Sequence, residues 1–140
     1  MIKEKLKRYV QILNNIEDTQ DKFMWIMDFG KNSRPMDDSL KIREFEVPGC
    51  QSQTWLVPHF VEDKIYFSAD SAALISKGMV CIIADVYSGS RSQEINEFDQ
   101  KEFDKMSLST LLTPGRNNGV HSMLKKVKFY AKKEDNKVAV

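Results

Sequence analysis

The stretch VPGCQSQTW, residues 47–55, holds one of the two cysteines of this chain, placed directly after a Pro-Gly pair and before small and amide side chains. A cysteine does chemistry as its thiolate, which attacks disulfides, persulfides, peroxides or acyl groups when it is charged and accessible. Pro48 and Gly49 favour an extended and then turned backbone, with Gly49 free to take a positive φ, so Cys50 is expected at a loop tip within reach of another molecule. Gln51, Ser52 and Gln53 add donors that can stabilise a thiolate or persulfide anion, while no cation adjoins Cys50 in sequence to lower its pKa. A reactive thiol and a small turn residue both fit this setting. Cys81, in MVCIIA, reads as a small buried hydrophobe, although a helical projection puts it on the seam of Lys77 and Asp85, where some exposure is possible.

Other chemistries have less support. Cys50, Cys81, His59 and His121 follow neither C-x-x-C nor H-x-x-x-H spacing, so no metal site is expected. Cys50 with His121 and Asn117 or Asn118 has the residue types of a cysteine hydrolase, and a stand-alone thiol enzyme of the hydrolase or peroxidase type stays open as an alternative. No glycine-rich phosphate loop follows a strand.

A net charge of +1, from 21 Lys and Arg against 20 Asp and Glu, argues against nucleic acid or an anionic membrane as the main ligand. The basic stretch LKKVKFYAKK, residues 124–133, reads as a solvated helix face. The first residues, MIKEKLKRYVQIL, carry charges in every turn and do not resemble a signal peptide, and no apolar run approaches the ~20 residues that cross a bilayer. A cytoplasmic protein with two free thiols and no membrane partner is the expectation.

The elements that must position Cys50 follow from periodicity. Leu6, Tyr9, Val10 and Leu13 lie on one stripe of a first helix. A second opens at an Asp18 or Thr19 N-cap, turns Phe23, Ile26 and Met27 inward, and stops at Gly30. Residues 31–46 read as a loop with one short helical turn. QTWLVPHFV and DKIYFSA, joined by VEDK, read as an antiparallel hairpin with Trp55 in the core and Pro58 at an edge or near the strand's end. A core helix follows, capped by Asp70 or Ser71, with Ala72, Ile75, Met79, Ile82, Ile83 and Val86 on its inner arc. Residues 91–112 read as short helices. The last helix starts at Thr113-Pro114 and buries Val120, Met123, Leu124, Val127, Tyr130 and Ala131. This order predicts a single α+β domain over residues 1–140, a small antiparallel sheet packed against helices.

GCQSQTW (49–55), ADSAALISKG (69–78) and LTPGRNNGV (112–120) resemble, in this order and spacing, the three signature blocks of the SufE/CsdE family of sulfur acceptor proteins. The resemblance implies a fold shared with IscU-type cluster scaffolds. It also implies a partner, a SufS/CsdA-type cysteine desulfurase whose pyridoxal phosphate stays with that partner. Cys50 matches the family's acceptor cysteine, so the resemblance implies a persulfide on Cys50 whose sulfur passes to a SufBCD-type cluster-assembly complex or another acceptor. The protein would be a carrier and activator, with no cofactor of its own. The resemblance further places Gly49, Gln51, Ser52, Gln53, Asp70, Ser71, Arg116, Asn118 and Gly119 near the loop or the partner. Asp70 and Ser71 would equally serve as helix caps, and Arg116 as a surface cation. Ala72 and Gly115 depart from the family's usual acid and serine, and Cys81 stands where a small apolar residue is usual.

Overall fold

The computed structural model describes residues 1–138, and the last two positions of the expected domain, 139 and 140, lie outside the described residues. Two helices come first, α1 (Ile2–Asn14) and α2 (Thr19–Lys31), then a hairpin of β1 (Thr54–Val61) and β2 (Lys64–Ser71). The central helix α3 (Leu74–Tyr87), a short strand β3 (Ser90–Arg91), α4 (Ser92–Glu97) and the long α5 (Pro114–Val138) complete the order. The sheet runs β1-β2-β3 and is antiparallel throughout, as the α+β expectation requires.

Local signals set several boundaries where they were expected. The Asp18 carboxylate accepts from the N–H groups of Gln20 (2.8 Å) and Asp21 (3.2 Å), satisfying two donors that a helix start leaves open. At α5 the Thr113 hydroxyl accepts from Arg116 N–H at 3.3 Å, and Pro114 takes the first helical position. The hairpin turns at Glu62 and Asp63, with Glu62 at φ 57°. Pro58 sits on β1, an edge strand, opposite Phe67.

The two faces of the hairpin go to different layers. Leu56, Ile65, Phe67 and Ala69 join the main core with α3 and α5, whereas Trp55 and Val57 turn the other way onto Met36, Leu40 and Phe45. Those three apolar residues hold the segment before the hairpin against the sheet, and two short 3-10 turns, Asp38–Leu40 and Arg43–Phe45, replace the single one expected. β3 is an addition to the predicted hairpin, paired only with Lys64 and Ile65.

Three sequence expectations are corrected. Gly30 does not stop α2, which continues to Lys31 with Asn32 as its C-cap in the right-handed region. Gly30 instead faces Gly78 on α3, so closely that a Cβ on it would meet Gly78 N at 2.6 Å. Neither Asp70 nor Ser71 caps α3: β2 runs through Ser71 and the N-cap position falls on Ala73, without a side-chain cap. Ala72, expected on the inner arc, therefore precedes the helix and is exposed. Burial of α3 extends to nearly every side, because the sheet covers one flank and α2 another, and Cys81, only 8% exposed, is the small buried residue that MVCIIA suggested.

Candidate functional site

The Cys50 loop is pinned at its base. Val47 N–H donates to the Thr54 carbonyl at 2.7 Å, and Glu46 bridges Trp55, so residues 48–53 leave the sheet and return to it at one point. The return arm is tied to the end of β2 and the residue that follows it. Ala72 N–H donates to the Gln53 carbonyl at 2.9 Å, the Ser71 hydroxyl donates to the same carbonyl at 3.0 Å, and the Thr54 hydroxyl lies 3.0 Å from both Ser71 Oγ and the Ser52 carbonyl. Gly49 takes φ 79°, the left-handed region the Pro-Gly pair suggested.

The loop tip leans on the first turns of α5. Cys50 is half-buried, and its thiol donates weakly to the Gly119 carbonyl, with S···O 3.8 Å. The sulfur lies directly against this helix position, since a Cβ on Gly119 would stand at contact distance, 3.4 Å, from Cys50 Sγ. Gln51 lies over Gly115, where any Cβ would overlap its side-chain amide. The departure at Gly115 is thus filled by Gln51, and the departure at Ala72 leaves the backbone N–H that this position contributes unchanged.

Burial pushes the Cys50 thiol above its ordinary pKa, opposed by the Thr54 hydroxyl and by the positive charge of Arg116. Seated, Cys50 is a protected neutral thiol. Arg116 is itself held, its guanidinium donating to the Ser76 hydroxyl of α3. Neither histidine serves Cys50: the hydrogen bond of the thiol goes to Gly119, and His59 Nε2 pairs with Ser68 Oγ at 2.8 Å on the hairpin. The Asn117 amide is spent on the carbonyls of Ser109 (2.9 Å) and Leu112 (3.3 Å). The residue types of a cysteine hydrolase are present, but this structure does not join them to Cys50.

The structure brings together Cys50, Gly49, Gln51, Ser52, Gln53, Ser71, Arg116 and Gly119. Asn118 is exposed on α5 beside them. Asp70 stands apart from the thiol, 8% exposed, with Lys41 Nζ at 3.1 Å and Lys77 Nζ at 3.5 Å on its two oxygens. It ties the segment before the loop to α3, and Lys41 also lies over the Trp55 ring, 5.6 Å from its centroid. Asp70→Asn is expected to lower the melting temperature by a few degrees, because Lys77 loses its carboxylate partner and Lys41 keeps only Asp38, and the rate of Cys50 alkylation should stay within about twofold of wild type. A large rise in that rate would instead make Asp70 a holder of the loop.

Sequence reasoning missed Thr54 and Ser76 as parts of the site. Thr54 carries a signal only once the hairpin register is known, because its side chain then points back under the loop. Cys81 lies elsewhere, its thiol 3.8 Å from the Ala69 carbonyl and lining a cleft of about 570 Å3 with Ser33, His59 and Asp85. Burial raises its pKa too, and packing accounts for it. Among the described residues no group of His, Cys, Asp or Glu is placed to hold a metal, and no helix is long and apolar enough to cross a membrane.

Comparison with known proteins adds to this geometry. Residues 7–131 match the family described as "SufE: Fe-S metabolism associated domain". The chain is 33% identical over 122 residues to "SufE-like protein 1, chloroplastic/mitochondrial" of Arabidopsis thaliana, a match covering 86% of this chain and 33% of that longer protein. The chain therefore spans about a third of that relative's length. An uncharacterized SufE-like protein of Rhizobium meliloti is 33% identical over 121 residues, covering 83% of this chain and 86% of the relative. "Cysteine desulfuration protein SufE" of Wigglesworthia glossinidia brevipalpis is 31% identical over 126 residues, with 89% and 88% covered. In fold, the solution structure of a hypothetical protein from Thermus thermophilus superposes with a TM-score of 0.75 at 14% identity, over 92% of this chain and 94% of that one.

Proposed function

Because the chain belongs to the SufE family, we propose that it accepts persulfide sulfur on Cys50 from a SufS/CsdA-type cysteine desulfurase and so activates that enzyme. The observation that carries this reading is the seating of Cys50 at the tip of a pinned loop, half-buried against Gly119. A carrier needs a thiol that is shielded between transfers, since stray thiols and oxidants attack an exposed persulfide.

The step itself is an exchange. Once the loop is displaced and Cys50 deprotonated, its sulfur attacks the outer sulfur of the donor's persulfide. A new S–S bond forms on Cys50, the donor's S–S bond breaks, and the donor cysteine leaves as a thiolate. The same exchange, with Cys50 as leaving group, delivers the sulfur onward, in this reading to a SufBCD-type cluster-assembly complex. Pyridoxal phosphate belongs to the donor, and this chain contributes the thiol, the loop and the cation at Arg116. A reducing compartment such as the cytoplasm keeps Cys50 free for this work.

Incubation with a desulfurase and cysteine, followed by mass spectrometry, tests the proposal. One added sulfur, about 32 Da, is expected on Cys50, abolished by Cys50→Ser and retained by Cys81→Ser. Sulfur on Cys81 instead, or stimulation of the desulfurase that survives Cys50→Ser, would overturn it.

A further inference from the structure

The basic stretch of residues 124–133 forms part of α5, and its apolar positions, Leu124, Val127, Tyr130 and Ala131, are buried as expected. Its other side is less bland. Lys125, Lys126, Phe129 and Ser122 form one wall of a groove of about 470 Å3 whose opposite wall is Pro48 and Gly49. Phe129 is 54% exposed there, an aromatic ring with no core to fill. Lys126 Nζ lies 5.4 Å from the centroid of that ring and Lys133 Nζ 6.0 Å.

The cations around the ring make no ion pair among the described residues, and the Glu44 charge only partly offsets the burial of Lys126. Among the described residues no carboxylate lies within 4.0 Å of Lys125, Lys126 or Lys133, and the one hydrogen bond of the Lys126 ammonium goes to the Glu44 backbone carbonyl at 3.2 Å. Burial holds the Lys126 ammonium below its ordinary pKa, so an arriving carboxylate would gain more from it than from a fully hydrated lysine.

We propose that this groove seats an acidic segment of the sulfur-donating desulfurase, tipped by an apolar side chain that lies on Phe129 between the lysines and the Pro48–Gly49 arm. The proposal rests on the reading of the protein as a persulfide acceptor. Charge complementarity selects the acids, and the ring with Pro48 selects the apolar tip. The donor is selected by position, because one wall of the groove is the pair of residues that precede Cys50. Gly49 sits so near α5 that a Cβ on it would lie 3.1 Å from Ser122 Oγ. A side chain entering between them therefore meets the loop arm and must shift it. The patch is too small, and the whole chain at +1 too nearly neutral, to favour a nucleic acid.

The test measures binding of the desulfurase by calorimetry and sulfur loading on Cys50 by mass spectrometry, each at two salt concentrations. Lys125→Glu combined with Lys126→Glu, and separately Phe129→Ala, are expected to weaken binding at least tenfold and to slow loading in proportion. Lys3→Glu with Lys7→Glu, on the exposed side of α1, serves as the control and should change neither. Wild-type affinity should fall as salt rises, and the Lys125/Lys126 variant should lose most of that dependence. In the free variants the melting temperature and the Cys50 alkylation rate should match wild type. Unchanged binding and loading in both groove variants, with the wild-type chain still loaded, would overturn the docking site alone. Failure of the wild-type chain to bind the desulfurase or to take sulfur would overturn the acceptor reading and this proposal with it. A self-association of the free chain that the Lys125/Lys126 variant abolishes, with desulfurase binding intact, would make a second copy the occupant and overturn the proposal as well.

Discussion

Gly78→Ala is expected to destabilise the protein by about 3 kcal/mol or more, beyond the usual range for a single added methyl because the obstacle is main chain. The new Cβ would overlap the Ile26 carbonyl oxygen, well inside their contact distance, with the Ile26 carbonyl carbon 2.7 Å away. No rotamer change relieves that overlap. The helices α2 and α3 would have to separate, opening a gap along the interface they share. On a domain of this size the loss corresponds to a fall in melting temperature of roughly 10 °C, readable by calorimetry or by the midpoint of a urea titration. Gly30→Ala meets Gly78 N and Cα from the other side and should act in the same direction. Removing a helical glycine ordinarily favours the helix by up to ~1 kcal/mol. A melting temperature unchanged or raised in both variants would therefore show that the helices do not cross here.

Alkylation of Cys50 by iodoacetamide is expected to be slow at pH 7 and to rise through and beyond the ordinary thiol range, with its midpoint above that of a free cysteine. Burial favours the neutral thiol, and the Thr54 hydroxyl and Arg116 charge only partly oppose it. The sign follows from linkage. A thiol whose pKa is raised in the seated state stabilises that state fully below the ordinary thiol pKa, and the contribution is lost as pH rises through the raised value. Alkaline pH thus favours release of the loop. Gly119→Val is expected to crowd the seat at neutral pH, because its Cβ would already stand at contact distance from Sγ and two further methyls must fit beside the loop. The expected result is at least a tenfold faster alkylation at pH 7 and a midpoint returned toward the ordinary value, because the displaced thiol regains water. Cys81, buried in both proteins, should stay unreactive. If Gly119→Val leaves rate and midpoint alone, the contact with Gly119 does not control the thiol.

The parts of this structure that could be read from sequence are the ones whose cause is local. A cap needs only its own side chain and an N–H two or three residues on, so Asp18 and Thr113 were legible as written. The hairpin was legible from alternation and from polar residues at its turn. Gly30 misled because a glycine near a helix end has two readings, a C-terminal stop or a close crossing, and only Gly78 in another helix decides between them. Asp70 misled for a related reason. Its carboxylate was free to cap α3 until Lys41 and Lys77, one of them from a segment with no period, claimed it in a strand that runs longer than its apolar alternation suggests.

The candidate site divides in the same way. Pro48-Gly49-Cys50 announced a turn with a thiol, and the three signature blocks pointed to Gly119 and Arg116. What the thiol touches was not legible. The Thr54 hydroxyl under the loop depends on the register that sets Thr54 opposite Ser71, and the bond from Arg116 to Ser76 depends on the relative phase of α3 and α5. Periodicity within one element carries neither piece of information.

The bond that joins Val47 to Thr54 also measures how far the sulfur can travel. Cys50 follows that anchor by three residues, and an extended chain spans at most ~3.6 Å per residue, so while the anchor holds, the thiol sweeps a radius of roughly 10 Å about the end of the hairpin. That is an arm, not a swinging domain. Any protein exchanging sulfur with it must bring its own reactive atom within this radius, and one whose cysteine lies deeper must either extend it on a segment of its own or peel the Glu46–Trp55 bridge from the sheet edge.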